Sequence, residues 1–282
     1  MLDQAERLRQ MAKGDKGPKI ITITSGKGGV GKSNLVVNLA LALQKRGNKV
    51  MVFDADIGMA NDDILMGFSS KNTIFDIIYQ NKSIEEVVMD GPLGVKLLPG
   101  GSGLNKLDEL DEYQREKFLK NLGAMSNLDY ILMDTGAGIN RSVLSFIACC
   151  QELILVLTPE PTSLTDGYSL IKAVDYFKVK NKAKIVVNRE LDKKEGQDTF
   201  KKFKNAVNKF LNIEIEYLGG IGEDRKLVEA VRSQSPLILS SPESRAAKDI
   251  DLIADKILGK DELSNDGMGL QGFFKKIFNI FS

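Results

Sequence analysis

Hydrophobic positions along this chain fall into short continuous runs, separated by longer stretches in which they recur at helical spacing. The short runs predict strands at 19–24, 49–56, 95–99, 129–134, 152–159, 184–188 and 215–221. The longer stretches predict helices at 33–46, 107–125, 141–150, 163–178, 198–211, 224–233 and 243–258. Strands that are apolar throughout are typical of parallel sheets covered on both faces. The pattern therefore predicts an α/β protein with a doubly wound, mostly parallel sheet flanked by helices, and a ligand at the carboxyl ends of its strands.

The two ends of the chain differ from this α/β pattern. We expect an N-terminal segment at 1–12, a linker at 13–18, the α/β domain at 19–259, a polar linker at 260–268 and an amphipathic helix at 269–282. Lysines lie on one side of that last helix, and six apolar residues share the opposite face. These are Leu270, Phe273, Phe274, Ile277, Phe278 and Phe281. Such a helix is too short to cross a bilayer. It can lie in the membrane interface, or it can dock on the protein's own core.

Composition narrows the chemistry that this domain can perform. The 282 residues include no His and only two Cys, which excludes His-dependent nucleophiles, His-ligated zinc and a disulfide framework. Thirty-nine basic residues balance 38 acidic ones, which argues against a globally basic nucleic-acid binder. Any reaction must use Lys, Asp/Glu, Ser/Thr and backbone amides, with a hard metal such as Mg²⁺. We expect a cytoplasmic protein, because no apolar stretch reaches the roughly 20 residues of a spanning helix and the N-terminus lacks a signal sequence.

A phosphate-binding loop joins the first predicted strand to the first helix. Gly26, Lys27, Gly28, Gly29, Val30, Gly31, Lys32 and Ser33 fit G-x-x-x-x-G-K-[ST]. Glycines allow successive N–H groups to face the phosphates at the helix N-terminus. We expect Lys32 to reach the β- and γ-phosphates and Ser33 to bind Mg²⁺, with ATP as the nucleotide.

The second lysine of this loop gives it a particular form, because K-G-G-x-G-K-S resembles the deviant Walker A motif of the MinD/ParA (SIMIBI) family of P-loop ATPases. Residues 54–61 (DADIGMAN) and 134–138 (DTGAG) resemble the two switch segments of that family. The resemblance implies an ATPase that dimerises with ATP bound, Lys27 of each protomer reaching the partner's ATP. It also implies that Asp56 positions the attacking water and that Ser33, Asp54 and Asp134 hold Mg²⁺.

The predicted adenine contacts also resemble this family, whereas two other positions depart from it. Asn188 and Arg189 resemble the pair that contacts adenine in MinD-like proteins, and an amide can both donate to and accept from the adenine edge. The sequence departs from its relatives at Gly222, which replaces a proline near the base, and at Asn61-Asp62-Asp63, where relatives more often have an apolar residue before the second aspartate.

The N-terminal segment points to one branch of the family. Asp3, Gln4, Ala5, Leu8 and Arg9 match the D-Q-A-x-x-L-R motif of the FlhG group, also called FleN or YlxH, and residues 133–139 and 158–168 agree with that branch. The resemblance implies a membrane-associating switch that regulates flagellar number and placement and stimulates the GTPase FlhF. Alternatives are a MinD-type division-site ATPase, a ParA-type DNA-segregation ATPase and an iron–sulfur carrier, although the adjacent Cys149 and Cys150 are poorly spaced for a cluster.

Overall fold

A computed structural model describes residues 17–56, 61–101, 109–122, 127–259 and 269–281. Within these ranges, eight strands form one sheet in the order β3-β4-β2-β5-β1-β6-β7-β8. All neighbouring strands are parallel except β3, which pairs antiparallel with β4. The strands are β1 (Lys19–Thr24), β2 (Val50–Ala55), β3 (Met89–Asp90), β4 (Lys96–Pro99), β5 (Tyr130–Thr135), β6 (Glu152–Leu157), β7 (Lys182–Glu190) and β8 (Glu214–Gly222).

Helices cover both faces of this sheet. Their bounds in the described ranges are α1 (Lys32–Lys45), α2 (Asp62–Leu65), α3 (Ile74–Tyr79), α4 (Ile84–Val87), α5 (Glu112–Leu122), α6 (Arg141–Cys149), α7 (Pro161–Tyr176), α8 (Lys193–Phe210), α9 (Arg225–Arg232), α10 (Leu237–Ser240), α11 (Arg245–Gly259) and α12 (Leu270–Phe281), with a 3₁₀ turn at Pro92–Gly94. None of the helices in the part of the chain that the structure describes has the length and apolar character needed to span a membrane.

The core divides into two layers because successive strand residues point to opposite faces of the sheet. In β2, Met51 and Phe53 join the layer under α5, α6 and α12, whereas Val52 joins the layer under α1 and α11. The strands are therefore buried on both sides, which is why they read as continuous apolar runs.

The predicted α/β architecture is confirmed, and the predicted strands and helices agree with the observed ones to within a few residues at most ends. The region between β2 and β4 was not predicted: α2, α3, α4 and β3 have two to six residues each. Segments this short contain too little periodicity to distinguish a helix from a loop. Capping boxes at Thr73 and Ser83 are the local signals that mark the starts of α3 and α4.

Candidate nucleotide-binding site

The phosphate-binding loop lies between β1 and α1, at the carboxyl edge of the sheet. Gly31 precedes α1 with a φ of +90°, a left-handed conformation that favours glycine. Its Cα also lies against the Asn188 amide, and a Cβ added at Gly31 would be 2.2 Å from the nitrogen of that amide. Among the described residues, no side chain caps the first turn of α1. Its N–H groups and positive dipole end are therefore available to an anion.

Lys32 and Asp134 form a buried ion pair at the centre of the site. Lys32 Nζ donates to Asp134 Oδ1 at 2.5 Å, and the two side chains are only 8% and 2% exposed. Asp134 lies in β5, next to β1 in the sheet, so the topology brings both Walker residues together. The Ser33 hydroxyl also interacts with Asp134. The structure thus places Lys32, Ser33 and Asp134 in one cluster.

The two aspartates that follow β2 have different environments. The carboxylate of Asp54 is buried and accepts hydrogen bonds from the backbone N–H groups of Asp56, Asn61 and Asp62, at 3.0 to 3.3 Å. Asp56 is partly exposed and lines a cavity of about 160 Å³ with Gly136 and Asn140. Asp54 therefore holds switch I to the sheet, while Asp56 faces a space that water can enter.

Burial and mutual repulsion make the carboxylates of this site hard to ionise. Burial, together with the nearby charge of Asp134, raises the pKa of Asp54 to about 7, although three backbone hydrogen bonds act to lower it. Burial also raises the pKa of Asp134, despite its ion pair with Lys32. A bound cation would stabilise the ionised form of these carboxylates.

Asp62 is a site residue to which the sequence analysis gave no role. It begins α2, is 0% exposed, and neither of its carboxylate oxygens accepts a hydrogen bond from the described residues. It interacts electrostatically with Asp134, Asp54 and Lys32, and burial raises its pKa well above the usual range. The signal in the sequence was the departure at Asn61-Asp62-Asp63, an acidic residue where relatives more often have an apolar one.

Lys27, the second lysine of the loop, is bound within its own protomer. Its Nζ donates to Glu160 Oε2 at 2.7 Å and to Thr162 Oγ1 at 2.9 Å. The Lys27 side chain is 30% exposed and that of Glu160 is 52% exposed, so this contact is a surface ion pair. Glu160 and Thr162 belong to the 158–168 segment, but no role for them was predicted.

Asn188 and Arg189 lie at the end of β7 against the phosphate-binding loop. Asn188 Nδ2 donates to the Val30 carbonyl at 2.7 Å, and its Oδ1 accepts from the Arg189 N–H at 2.9 Å. Arg189 Nη2 donates to the Gly29 carbonyl at 2.8 Å. Asn188 is only 3% exposed, so these two bonds fix its amide against the phosphate-binding loop.

Gly222 ends β8, and its surroundings explain why a glycine stands at this position. Its N–H donates to Asp249 Oδ2 at 2.9 Å, and an added Cβ would lie 2.2 Å from the Arg245 guanidinium. Any side chain at 222 would therefore displace Arg245, which is bonded to the Leu191 carbonyl.

Comparison with known proteins agrees with this geometry. Residues 18–187 match the AAA domain family. The chain is 37% identical to the antiactivator FleN of Pseudomonas aeruginosa, over 85% of this chain and 86% of FleN, and 37% identical to the flagellum site-determining protein YlxH of Helicobacter pylori, over 92% and 89%. The chain belongs to the FleN/YlxH group of MinD-like ATPases.

The fold of this FleN/YlxH-type chain is similar to solved structures of MinD proteins. MinD of the MinC:MinD cell division protein complex from Aquifex aeolicus superposes with a TM-score of 0.68 at 29% identity, covering 86% of this chain and 96% of that chain. MinD complexed with Mg-ADP from Pyrococcus horikoshii gives a TM-score of 0.67 at 26% identity, covering 87% and 97%. Together with the P-loop, these relationships identify the chain as an ATP-hydrolysing enzyme.

The residues of this MinD-like site fit a Mg²⁺–ATP complex. An added Cβ at Gly28 or Gly29 would meet no atom within 4 Å, which leaves open space over the loop. Among the described residues, no group of three or more His, Cys, Asp or Glu side chains is arranged to hold a metal alone. Mg²⁺ commonly takes one or two carboxylates and completes its shell with water and substrate phosphates, and the Ser33–Asp134 pair suits that chemistry.

The predicted membrane-binding residues lie inside the protein. Leu270, Phe273, Phe274, Ile277 and Phe278 are buried between α12 and the helices α5 and α6, whereas the side chain of Phe281 is outside the described residues. The Phe274 ring lies 4.9 Å from Phe118 and 5.6 Å from Phe53, and the Phe273 ring stacks 6.3 Å from Phe146. The structure thus shows the docked arrangement that the amphipathic pattern left open.

The predicted partner-binding residues Asp3, Gln4, Ala5, Leu8 and Arg9 lie outside the described residues, as do positions 57–60 of switch I.

Proposed function

We propose that this ATPase is a membrane-associating switch that regulates flagellar number and placement. The observation that carries the proposal is the combination of the FleN/YlxH relationship with a C-terminal helix whose described apolar residues, from Leu270 to Phe278, are buried against the ATPase domain. The names of the two relatives, an antiactivator and a flagellum site-determining protein, support the flagellar role. The covered helix supports regulated, rather than permanent, membrane binding.

ATP hydrolysis in this proposal uses Mg²⁺ held by Ser33 and Asp134, with Asp54 holding the network. Mg²⁺ supplies positive charge to the β- and γ-phosphate oxygens when it is bound. Lys32 exchanges Asp134 for the phosphates, and Asp56 orients the attacking water from its cavity. Asn188 and Arg189 hold the loop through the carbonyls of Val30 and Gly29, and adenine lies against this pair.

Dimerisation in this proposal requires Lys27 to leave its own protomer. A surface ion pair such as Lys27–Glu160 is weak, so a partner's triphosphate can compete for Lys27. The ATP-bound homodimer then presents two C-terminal helices. One short anchor binds a membrane weakly, whereas two act at a high effective concentration.

A contiguous set of side chains connects the nucleotide site with the C-terminal helix. The cavity beside Asp56 is closed on one side by Phe146, and Phe146 stacks on Phe273 of α12. Phe53, which precedes Asp54 in β2, contacts Phe274. We infer that movement of the switch segments on ATP binding loosens this aromatic contact and releases α12.

Nucleotide-dependent sedimentation with anionic liposomes tests the switch. The wild-type protein should sediment with vesicles in Mg²⁺–ATP and remain soluble in Mg²⁺–ADP. Reversing the charge of Lys275 and Lys276, which are exposed while the apolar face is buried, should weaken binding in ATP without disturbing the docked helix. Vesicle binding that is equal in ATP and ADP would contradict the switch.

The FlhF partnership is tested with the N-terminal segment. A peptide of residues 1–12 should stimulate GTP turnover by FlhF, and Gln4→Ala should abolish the effect, because a segment too short to fold alone needs its polar anchors on the partner. An absence of stimulation by the wild-type peptide and by the full chain would favour the division-site function of the MinD proteins.

A further inference from the structure

Asp62 is a buried charged residue beside the phosphate-binding loop to which the ATPase mechanism assigns no role. It is the first residue of α2, 0% exposed, and no donor among the described residues bonds to either of its oxygens. Carboxylates are rarely buried in this way, because an ionised group without partners is strongly destabilising. A fully buried carboxylate beside a phosphate-binding loop, with no donor among the described residues and only the carboxylate of Asp134 as a side-chain partner, therefore points to a ligand that brings positive charge.

The neighbours of Asp62 identify the kind of ligand. Its backbone N–H donates to Asp54 Oδ2 at 3.3 Å, and its carboxylate interacts with those of Asp134 and Asp54. Lys32, the one cation in this group of four, is bonded to Asp134. When all four are ionised, three carboxylates oppose one ammonium, which leaves two negative charges. A divalent cation cancels this charge, and oxygen ligands are the type that Mg²⁺ prefers.

We propose that Asp62 is an additional carboxylate of the Mg²⁺–nucleotide site, acting with Asp134 and Ser33. The inference rests on the proposed Mg²⁺ cofactor. Two carboxylates, one hydroxyl, nucleotide oxygens and water satisfy Mg²⁺ without a cage made only of protein. The added carboxylate makes nucleotide binding more dependent on the metal, because Asp62 attracts the Mg²⁺ complex and offers no attraction to the metal-free nucleotide.

The test measures the affinity of a fluorescent ADP analogue for the full chain, once with Mg²⁺ and once with EDTA, at one pH and one ionic strength. In Asp62→Asn, binding should be weaker than in the wild type with Mg²⁺ and little changed with EDTA. The ratio of the two dissociation constants should fall by on the order of 10- to 100-fold, the usual effect of changing a residue that supports a metal site. A residue with only a structural role would shift both affinities in the same direction.

Asp63→Asn is the matched control. Asp63 is the next residue, the change in charge is the same, and its carboxylate is bonded to Ser70 rather than directed at the cluster. Its ratio should equal that of the wild type. Asp62→Ala, which should also lower the ratio, serves if Asp62→Asn does not fold.

Three results are distinguishable. An Asp62→Asn ratio equal to the wild-type ratio would overturn the inference and leave the Mg²⁺-dependent ATPase intact. Equal wild-type affinity in Mg²⁺ and EDTA would overturn the proposed Mg²⁺ site and the inference together. A loss of affinity in Asp62→Asn that is confined to Mg²⁺, and is absent in Asp63→Asn, would establish the role.

Discussion

Substitution of Phe118 in α5 should release the C-terminal helix without changing the helix itself. Phe118 is 1% exposed and forms edge-to-face contacts with Phe274 and Phe278, with ring centroids 4.9 and 6.0 Å apart. Each aromatic pair contributes about 0.5–1.5 kcal/mol beyond burial, so Phe118→Ala removes about 1–3 kcal/mol from docking. The full cost of a buried Phe→Ala change, about 3–5 kcal/mol, is the upper limit. Because about 1.4 kcal/mol is a factor of ten, the ratio of docked to released helix should fall at least fivefold.

Liposome sedimentation without nucleotide measures this release. The wild-type protein should stay in the supernatant, and Phe118→Ala should sediment with anionic vesicles, because its membrane-binding face is unchanged. Phe203→Ala is the control for general destabilisation, since Phe203 is equally buried but lies in α8, away from α12. The reasoning would be refuted if limited proteolysis showed that Phe118→Ala frees residues 269–282 and the protein still ignored vesicles. It would also be refuted if Phe203→Ala sedimented equally well.

Three further predictions concern the charges of the nucleotide site. Lys32→Ala should weaken ATP binding roughly 10- to 150-fold in a fluorescence titration, because a charge-assisted hydrogen bond of about 1.5–3 kcal/mol is lost; unchanged affinity would contradict its phosphate role. Glu160→Gln should leave the melting temperature nearly unchanged and raise ATP-dependent dimerisation, measured by light scattering, by up to about fivefold, because Lys27 no longer has to leave a surface ion pair; an equal or weaker dimer would contradict this competition. The nucleotide-free protein should lose stability as the pH rises from about 4 to about 7, because folded Asp54 retains a proton that the unfolded chain releases at a pKa of about 3.9. Thermal unfolding should show a shallower loss for Asp54→Asn, and an identical pH profile would refute the assignment.

Much of the fold follows from local pattern. The central strands could be predicted because both of their faces are covered and most of their residues are therefore apolar, as in 131–133 of β5. The P-loop and the strand-end aspartates could be predicted because parallel strands place their carboxyl ends at one edge. The short elements between β2 and β4 could not, since a four-residue helix such as α2 is stabilised by contacts distant in sequence rather than by its own period.

The site residues that sequence patterns missed are defined by three-dimensional contacts. Glu160 follows β6 and meets Lys27 only because β6 lies beside β1. Asp62 has the chemistry of an exposed helix cap in sequence, and its burial depends on the fold of switch I. The sequence also could not distinguish a docked C-terminal helix from a membrane-bound one, because one apolar face suits both environments.

The docked helix has a consequence for the solubility of shortened or released forms. Phe53, Phe118 and Phe146 owe part of their cover to α12, so removing residues 269–282 would open an apolar trough on the ATPase domain. A truncated protein would then self-associate for reasons unrelated to nucleotide, and charge reversal on the exposed lysines is the cleaner way to study membrane binding. In the cell, each release of the helix would expose two apolar surfaces at once, the face of α12 and the trough on the ATPase domain. The face of α12 inserts into lipid. The exposed trough favours a short-lived released state or a protein partner that covers it.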